Sequence, residues 1–430
     1  MRIAICTLGC KVNQYETQAI EQELLRRGHT LVDFEDEADA YVINTCSVTA
    51  VSDKKSRQMI RRAKGRNPDA VVAACGCYAQ THAEDVKALM PDVLVGTNDR
   101  MKFLDLLEQA AREKKPIVHL DDALHRHTFE VLPAGGMAAR TRAMMKVEDG
   151  CVNFCTYCLI PFARGPVRSL PMEEAGRQIR QLREEGYREI VITGIEISSY
   201  GHDFKDGTTL IDLLELLSRE GGEMRLRLGS LEPRTITREF CERASRLPNL
   251  CPHFHLSLQS GCDATLKRMN RRYDTARYAE SCALLRNYFD DPAITTDLIT
   301  GFPEETEEEF AQTLAFIERC GFAEMHIFPY SIRPGTKAAQ MAQIEKSVKE
   351  ERAARAAAVA QRMNEAYLQR CVGKVFPVLF ERSEGGGSGG HAPNYMEVTV
   401  PDEGLHNQVR NVRIIAVDGT VLRGELEEAR

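Results

Sequence analysis

The chain contains no apolar run close to the roughly 18 residues that a membrane-spanning helix needs. Its start, MRIAICTLGCKVNQ, lacks the long apolar stretch and small-residue cleavage site of a secretory signal. No membrane attachment and a cytoplasmic location are therefore expected. Positive charge is not in excess either: 56 Lys plus Arg face 63 Asp plus Glu, for a formal net charge of -7. A polyanionic partner has to be held by a local basic patch, because the overall charge opposes it. No internal repeat of solenoid length is present, which excludes a quasi-one-dimensional array. The low hydrophobicity of disordered chains is missing too, since 43% of residues are hydrophobic and 28% charged. A length of 430 residues, at roughly 150 per domain, sets a prior of about three domains.

What the chain has in quantity is cysteine. Fourteen cysteines in a large cytosolic chain are poor material for a disulfide framework and better suited to metal ligation or redox chemistry. Their placement follows the secondary-structure pattern. Over the first 130 or so residues, short apolar runs (RIAIC, AYVIN, AVVAAC, DVLVG) alternate with helical patterns, which predicts βαβ units around a parallel sheet. Cys10, Cys46, Cys75 and Cys77 fall at the ends of three of these strands, where parallel sheets place their sites. A Gly- and Ala-rich connector at 133–140 marks a boundary. Beyond it, six strand candidates, each before the last followed by a helix, run from AMMKVEDG to MHIFPY and suit an open or partial (βα) barrel over 137–336. Residues 337–370 read as a helical spacer. From 371 to 430, KVFPVLFE, YMEVTV, VRIIAV and TVLRGEL alternate apolar and polar residues, with GGGSGG and DG as turns, which predicts a small antiparallel β-barrel.

The sharpest signal is GCVNFCTYCLIPFARG, with Cys151, Cys155 and Cys158 in a C-x3-C-x2-C spacing at the end of the first barrel strand. Three thiolates on one short loop can wrap a four-iron cube and leave one iron open to a substrate. A structural zinc site would call for a fourth Cys or His at close spacing, and the motif contains none.

At this motif the chain resembles the radical S-adenosylmethionine enzymes, whose signature has an aromatic residue before the last cysteine, here Tyr157. The resemblance implies a [4Fe-4S] cluster on Cys151, Cys155 and Cys158 that binds and cleaves S-adenosylmethionine. It also places Tyr157, Thr193, Gly194, Glu232, Gln259 and Asp297 around that cofactor. TLGCKVNQYET, NTCSVT and CGCYAQ, followed by LSLQSGCDATLKRMNR and TDLITGFPEET, make nearly the whole chain similar to the methylthiotransferases. In that family a second [4Fe-4S] cluster is held by Cys10, Cys46 and a cysteine of the third motif; GCYAQ puts the ligand at Cys77 and leaves Cys75 as a strand residue. The expected architecture is α/β and multidomain: a Rossmann-like domain at 1–132, a partial (βα)6 radical barrel, and a module similar to TRAM at the end.

GCKVN with YET resembles the branch that acts on threonylcarbamoyladenosine beside the tRNA anticodon. A ribosomal protein or isopentenyladenosine as target, and a non-catalytic RNA-binding zinc protein, are the competing readings. The resemblance implies tRNA as substrate, a flavodoxin- or ferredoxin-like electron donor, and a monomer. For RNA contact the residues themselves offer two basic stretches. One is Lys54, Lys55, Arg57, Arg61, Arg62, Lys64 and Arg66; the other is Lys267, Arg268, Arg271, Arg272 and Arg277. The terminal module is more acidic than basic, so stacking on Phe376, Phe380 or Tyr395 is its alternative to electrostatics. Acidic residues in GFPEETEEEF read as helix capping, with Glu305 shaping the site by analogy, and Arg333 is expected near substrate. His253 and His255 alternate on one strand and face one side, but two imidazoles without a third partner do not make a metal site.

Overall fold

The computed structural model describes residues 1–135, 141–383 and 386–427. Most of the connector at 133–140 and the first glycine of GGGSGG therefore lie outside the described residues. No helix among the described residues is long and apolar enough to cross a membrane.

The N-terminal part is a six-stranded, all-parallel sheet. In spatial order its strands are Thr30–Val32, Arg2–Thr7, Ala40–Thr45, Val71–Gly76, Val93–Val95 and Ile117–His119. The strands read as near-continuous apolar runs because both faces are covered. Ile3, Val42 and Ala73 pack on one side against Phe103, Leu104 and Leu107 of the helix Arg100–Glu113. Their neighbours Ala4, Ile43 and Ala74 pack on the other side with Ile60 and Ala63 of the helix Ala50–Arg66. This is the parallel αβ domain that the alternation of runs predicts.

The middle of the chain forms six parallel strands in a half-barrel: Arg142–Lys146, Glu189–Thr193, the stretch from Arg225 to Leu231, His253–Leu256, Ala293–Thr300 and Glu324–Pro329. The third strand serves two sheets. After Arg225–Leu228, the Gly229 N–H donates to the Ile192 carbonyl at 2.8 Å, and Ser230–Leu231 then pairs with His253–Leu256. Among the described residues the barrel does not close. Thr306 and Glu309 form a reciprocal capping box at the start of the helix Glu307–Cys320, which is the capping role expected for the acidic run.

The helix Lys346–Cys371, about 39 Å long at 1.5 Å per residue, packs along the last strand and the helix Glu307–Cys320. It buries Ala356, Val359 and Leu368. Where the sequence suggested a spacer, the apolar face is consumed by the half-barrel. The terminal module is a closed five-stranded barrel of Val375–Ser383, Ser388–His391, Glu397–Val400, Val421–Leu426 and Val409–Asp418. Two features differ from the sequence expectation. SGGH is a strand rather than a turn, because residues without side chains lie flat against Leu379 and Phe380. One pairing, Val398 with Leu422, is parallel, so the barrel is not wholly antiparallel.

This barrel packs against the lower end of the half-barrel. Arg227 donates to the Pro393 carbonyl at 2.8 Å and Arg225 to the Pro377 carbonyl at 3.0 Å, while both guanidiniums pair with buried Glu189. Tyr395 stacks beside His391 and beneath Arg227, and Phe380 is fully buried. Neither ring is free for a base, and Phe376 packs against the same core.

Candidate active site

Three of the N-terminal cysteines sit just beyond the C-terminal ends of three adjacent parallel strands. Cys10 precedes the helix Lys11–Arg26, Cys46 follows Ala40–Thr45, and Cys77 opens the short helix Cys77–Thr81 after Val71–Gly76. Gly9, at φ 108°, presses on Cys46 so closely that a Cβ there would meet its Sγ at 2.8 Å. Burial pushes the Cys77 thiol up to about 11; the Arg164 cation opposes this, and Cys10 and Cys46 add to it. The three sulfurs therefore sense one another electrostatically. Cys75 points the other way, into the apolar layer of Ile3, Val42 and Phe103, as its strand position implies.

The second cysteine set lies on the loop after Glu148–Asp149. Gly150 holds φ 99°, and a Cβ there would lie 2.0 Å from the Pro166 carbonyl, so only glycine passes the chain into this loop. The loop is tied down from outside. The Asn270 amide donates to the Asn153 and Phe154 carbonyls at 3.2 and 3.0 Å, and the Thr156 N–H donates to the Met269 carbonyl at 3.1 Å. Arg271 donates to Cys155 Sγ at 3.2 Å and to Glu232 at 2.5 Å, and also to the Tyr273 hydroxyl. The Ile160 N–H donates to Cys158 Sγ at 3.4 Å. Such donors suit sulfur carrying negative charge, the state in which thiolates bind iron. Burial pushes the Cys158 thiol up to about 12, with the neighbouring Cys155 and, across the domain boundary, Cys77 adding to it. Iron entering this set has to displace protons. Soft thiolate donors without a disulfide, backbone and guanidinium donors on the sulfurs, and a glycine entry together fit an iron-sulfur cluster.

Thr193 ends its strand and Gly194 follows it against Glu148. Tyr157 sets its ring edge-on to Phe302 at 6.2 Å. Gln259, in the left-handed region at φ 65°, exchanges backbone hydrogen bonds with Asp297 and Ile299 at 3.0 and 2.9 Å. Sequence reasoning passed over Glu196, whose carboxyl burial raises to about 7 and whose N–H donates to Glu148 Oε2 at 2.7 Å. Glu196 and Glu232 line one cavity of about 480 Å³ together with Asn153 and Arg272. The fourth position of TGIE, two residues after a placed glycine, was the available signal.

Of the second basic stretch, Lys267 and Arg272 stay exposed and the other three cations are engaged within the protein. Arg271 is committed to Cys155 and Glu232, Arg268 to Glu309, and Arg277 to the Ile236 carbonyl. On the helix Ala50–Arg66, Arg62 and Arg66 pair with Glu35 and Arg57 donates to the Tyr78 hydroxyl, but Lys54, Lys55 and Arg61 are exposed. Arg333 is a bolt rather than a substrate contact: buried, it donates to Asp53 at 2.6 Å and to Ser47 at 2.7 Å. Glu305 is buried against Arg352 and the Gly301 N–H, fixing the loop after its strand.

The domain boundary between the two cysteine sets is a buried ion network. Glu16, on the helix that starts beside Cys10, accepts from Arg100 at 2.7 Å, from Lys146 at 3.2 Å and from both nitrogens of Arg164. Arg164 follows the Cys158 loop and also donates to Asn13 at 2.9 Å, while Lys146 reaches Asp149 at 3.1 Å. Burial alone would raise the Glu16 carboxyl; Arg100, Arg164 and Lys146 outweigh it and hold it well below the usual range.

Residues 145–317 match the radical SAM superfamily, and residues 2–96 match the family described as Uncharacterized protein family UPF0004. The threonylcarbamoyladenosine tRNA methylthiotransferase MtaB of Bacillus subtilis is 42% identical over 96% of this chain and 93% of its own length. That of Aquifex aeolicus is 39% identical over 88% and 92%. The tRNA-2-methylthio-N(6)-dimethylallyladenosine synthase of Symbiobacterium thermophilum is 33% identical over 100% and 95%. Among solved structures, the radical S-adenosylmethionine methyltransferase TsrM of Kitasatospora setae shares the fold at a TM-score of 0.58 and 13% identity, covering 79% of this chain and 77% of that one. These likenesses leave no room for the non-catalytic zinc-protein reading. With relatives of this identity along nearly its whole length, the chain belongs to the radical S-adenosylmethionine tRNA methylthiotransferases, enzymes that work with S-adenosylmethionine and two [4Fe-4S] clusters.

Proposed function

We propose that the chain converts N6-threonylcarbamoyladenosine beside the tRNA anticodon into its 2-methylthio derivative. Cys151, Cys155 and Cys158 hold the cluster that binds S-adenosylmethionine, and Cys10, Cys46 and Cys77 hold the second. The observation that carries this reading is the packing of the helix opened by Cys77 against the helix Ile160–Arg164 that follows Cys158, beside one buried ion network. It is supported by GCKVN at the first triplet and by relatives of 36 to 42% identity that bear the threonylcarbamoyladenosine name. When bound, the clusters and S-adenosylmethionine supply radical chemistry at an unactivated carbon, together with the sulfur and the methyl group.

The chain's own residues do the positioning. Arg271, clamped by Glu232 and Tyr273, holds the cysteine loop, while Glu196 and Glu232 supply carboxylates for a cationic cofactor, with Tyr157, Thr193, Gly194, Gln259 and Asp297 around it. The exposed Lys54, Lys55 and Arg61 flank the Cys46 side and neutralise RNA phosphates. In this reading 1–132 is the sulfur-delivering domain, 137–336 the radical barrel, 337–370 its connection, and 371–430 a TRAM-like module. The protein acts as a cytoplasmic monomer fed by a flavodoxin- or ferredoxin-like donor.

Nucleoside mass spectrometry of tRNA from a strain lacking the gene tests the substrate. Loss of 2-methylthio-threonylcarbamoyladenosine with accumulation of its unthiolated precursor is expected, and an unchanged profile sinks the assignment. Cys46→Ala separates the two cluster roles. Reconstituted iron should fall from about eight to about four per chain, reductive cleavage of S-adenosylmethionine should persist, and no methylthio product should form. Thiolation by this variant refutes the second-cluster assignment.

A further inference from the structure

The concave face of the half-barrel supplies the partner that His253 and His255 lacked in the sequence. His255 is in register with Thr295, and Asp297 with His326. Because side chains alternate along strands, these four residues share one face, opposite the Phe254, Leu256 and Leu298 that pack into the helical layer. Ligating atoms of His255, Asp297 and His326 lie within 4.8 Å of one another. Asp297 Oδ2 lies 3.3 Å from His255 Nε2. Two donors held by one ion at about 2.0–2.1 Å and a tetrahedral angle stand about 3.3–3.4 Å apart, so this pair already has the spacing of a shared metal. His326, on the edge strand, is exposed, and its imidazole has no hydrogen-bond partner among the described residues; its ring stands 5.9 Å from that of His255.

The surroundings orient His255. Thr295 Oγ1 lies 3.0 Å from His255 Nδ1 and 3.4 Å from His253 Nε2, and the hydroxyl has a single proton to give. With that proton on the His253 side, His255 donates from Nδ1 and turns the lone pair of Nε2 to the Asp297 carboxylate. Two acceptors so close call for a cation between them. Metal-bound imidazoles are set in this way, by a partner on the ring's other nitrogen. The Asp297 main chain stays with the cofactor loop, since its carbonyl accepts from the Gln259 N–H at 3.0 Å, while its carboxylate faces His255. Glu324, in register with Thr295, adds negative charge to the same face. Arg227, which packs with His253 on the Tyr395 ring, is neutralised by Glu189 at 2.7 Å. Two imidazoles and one carboxylate suit ions that take nitrogen and oxygen together, as Zn2+ does, and not Mg2+ or Ca2+, which take oxygen throughout. Three protein ligands leave a position for water.

We propose that His255, Asp297 and His326 bind a divalent transition-metal ion of the zinc kind, a third metal centre that uses none of the cluster cysteines. The inference is independent of which adenosine the enzyme modifies. The test dialyses the anaerobically reconstituted full chain against micromolar Zn2+ and counts zinc and iron in the same sample. The wild type should keep its irons, about eight per chain, and take up a single zinc. X-ray absorption at the zinc edge should show nitrogen and oxygen neighbours at about 2.0–2.1 Å. His326→Ala removes an exposed ligand and leaves the packing of the strands alone; Asp297→Asn keeps the shape and removes the charge. Each should weaken zinc binding by about tenfold or more, because even the outer partners of a metal ligand are worth about 10–100-fold, and each should keep its iron. No zinc on the wild type overturns the inference, and so does undiminished uptake by either variant. Sulfur at about 2.3 Å from the zinc overturns it as well, since the ion then sits on the cysteines.

Discussion

Cys155→Ala is expected to abolish reductive cleavage of S-adenosylmethionine while the chain still folds. The sulfur it removes accepts one hydrogen bond, from Arg271, which keeps Glu232 and Tyr273 as partners when that bond is lost. The loop itself is held by Asn270 and by the Thr156 backbone, neither of which involves the thiol. The stability change should therefore stay within about 1 kcal/mol. Iron per chain should drop from about eight to about four, and 5′-deoxyadenosine formation should fall to the level of cluster-free protein. Chromatographic assay of that product beside a thermal melt is decisive. Cleavage at the wild-type rate, or a collapse of the melt, contradicts the assignment of this loop.

Glu16→Ala should be the most damaging single change to the fold. It leaves Arg100, Arg164 and Lys146 facing one another without their shared counter-ion, all of them essentially inaccessible to solvent. Breaking a buried pair by deleting one partner costs about 3–5 kcal/mol, and here three cations lose the same carboxylate. Denaturant unfolding should show the loss; a change below about 1 kcal/mol contradicts the weight placed on this network. The same geometry sets an acid sensitivity. The folded carboxyl is held below its unfolded value of about 4.3, so its contribution is fully present above that pH and is lost as pH falls through the folded value. Glu16→Gln should flatten this part of the acid-unfolding profile.

The backbone plan was largely legible. Apolar runs separated by helical patterns led to a parallel sheet and a six-stranded open barrel, because a strand covered on both faces leaves a continuous apolar signature. The cysteine loop was legible because its chemistry is local, confined to eight consecutive residues from Cys151 to Cys158. What could not be read is whatever depends on pairing across the chain. Arg271 and Arg268 look like any cationic pair until Glu232 and Glu309 arrive from elsewhere in the barrel. Arg333 gives no sign that Asp53, 280 positions earlier, is waiting for it. Glu16 sits in an unremarkable helical stretch, and its partners come from two domains. The trio of His255, Asp297 and His326 becomes visible only when three strands are laid side by side in register. The SGGH strand was missed for a different reason: glycine carries no polarity pattern, so alternation has nothing to register there.

The clasp of Arg225 and Arg227 on the terminal barrel's carbonyls bears on how freely such enzymes can be rebuilt. Deleting the tail, or grafting another onto this scaffold, strips carbonyl acceptors from two guanidiniums whose remaining partner is the buried Glu189. The tail is thus a keystone, and chimeras that respect only the linker will leave Arg225 and Arg227 short of partners at the base of the half-barrel.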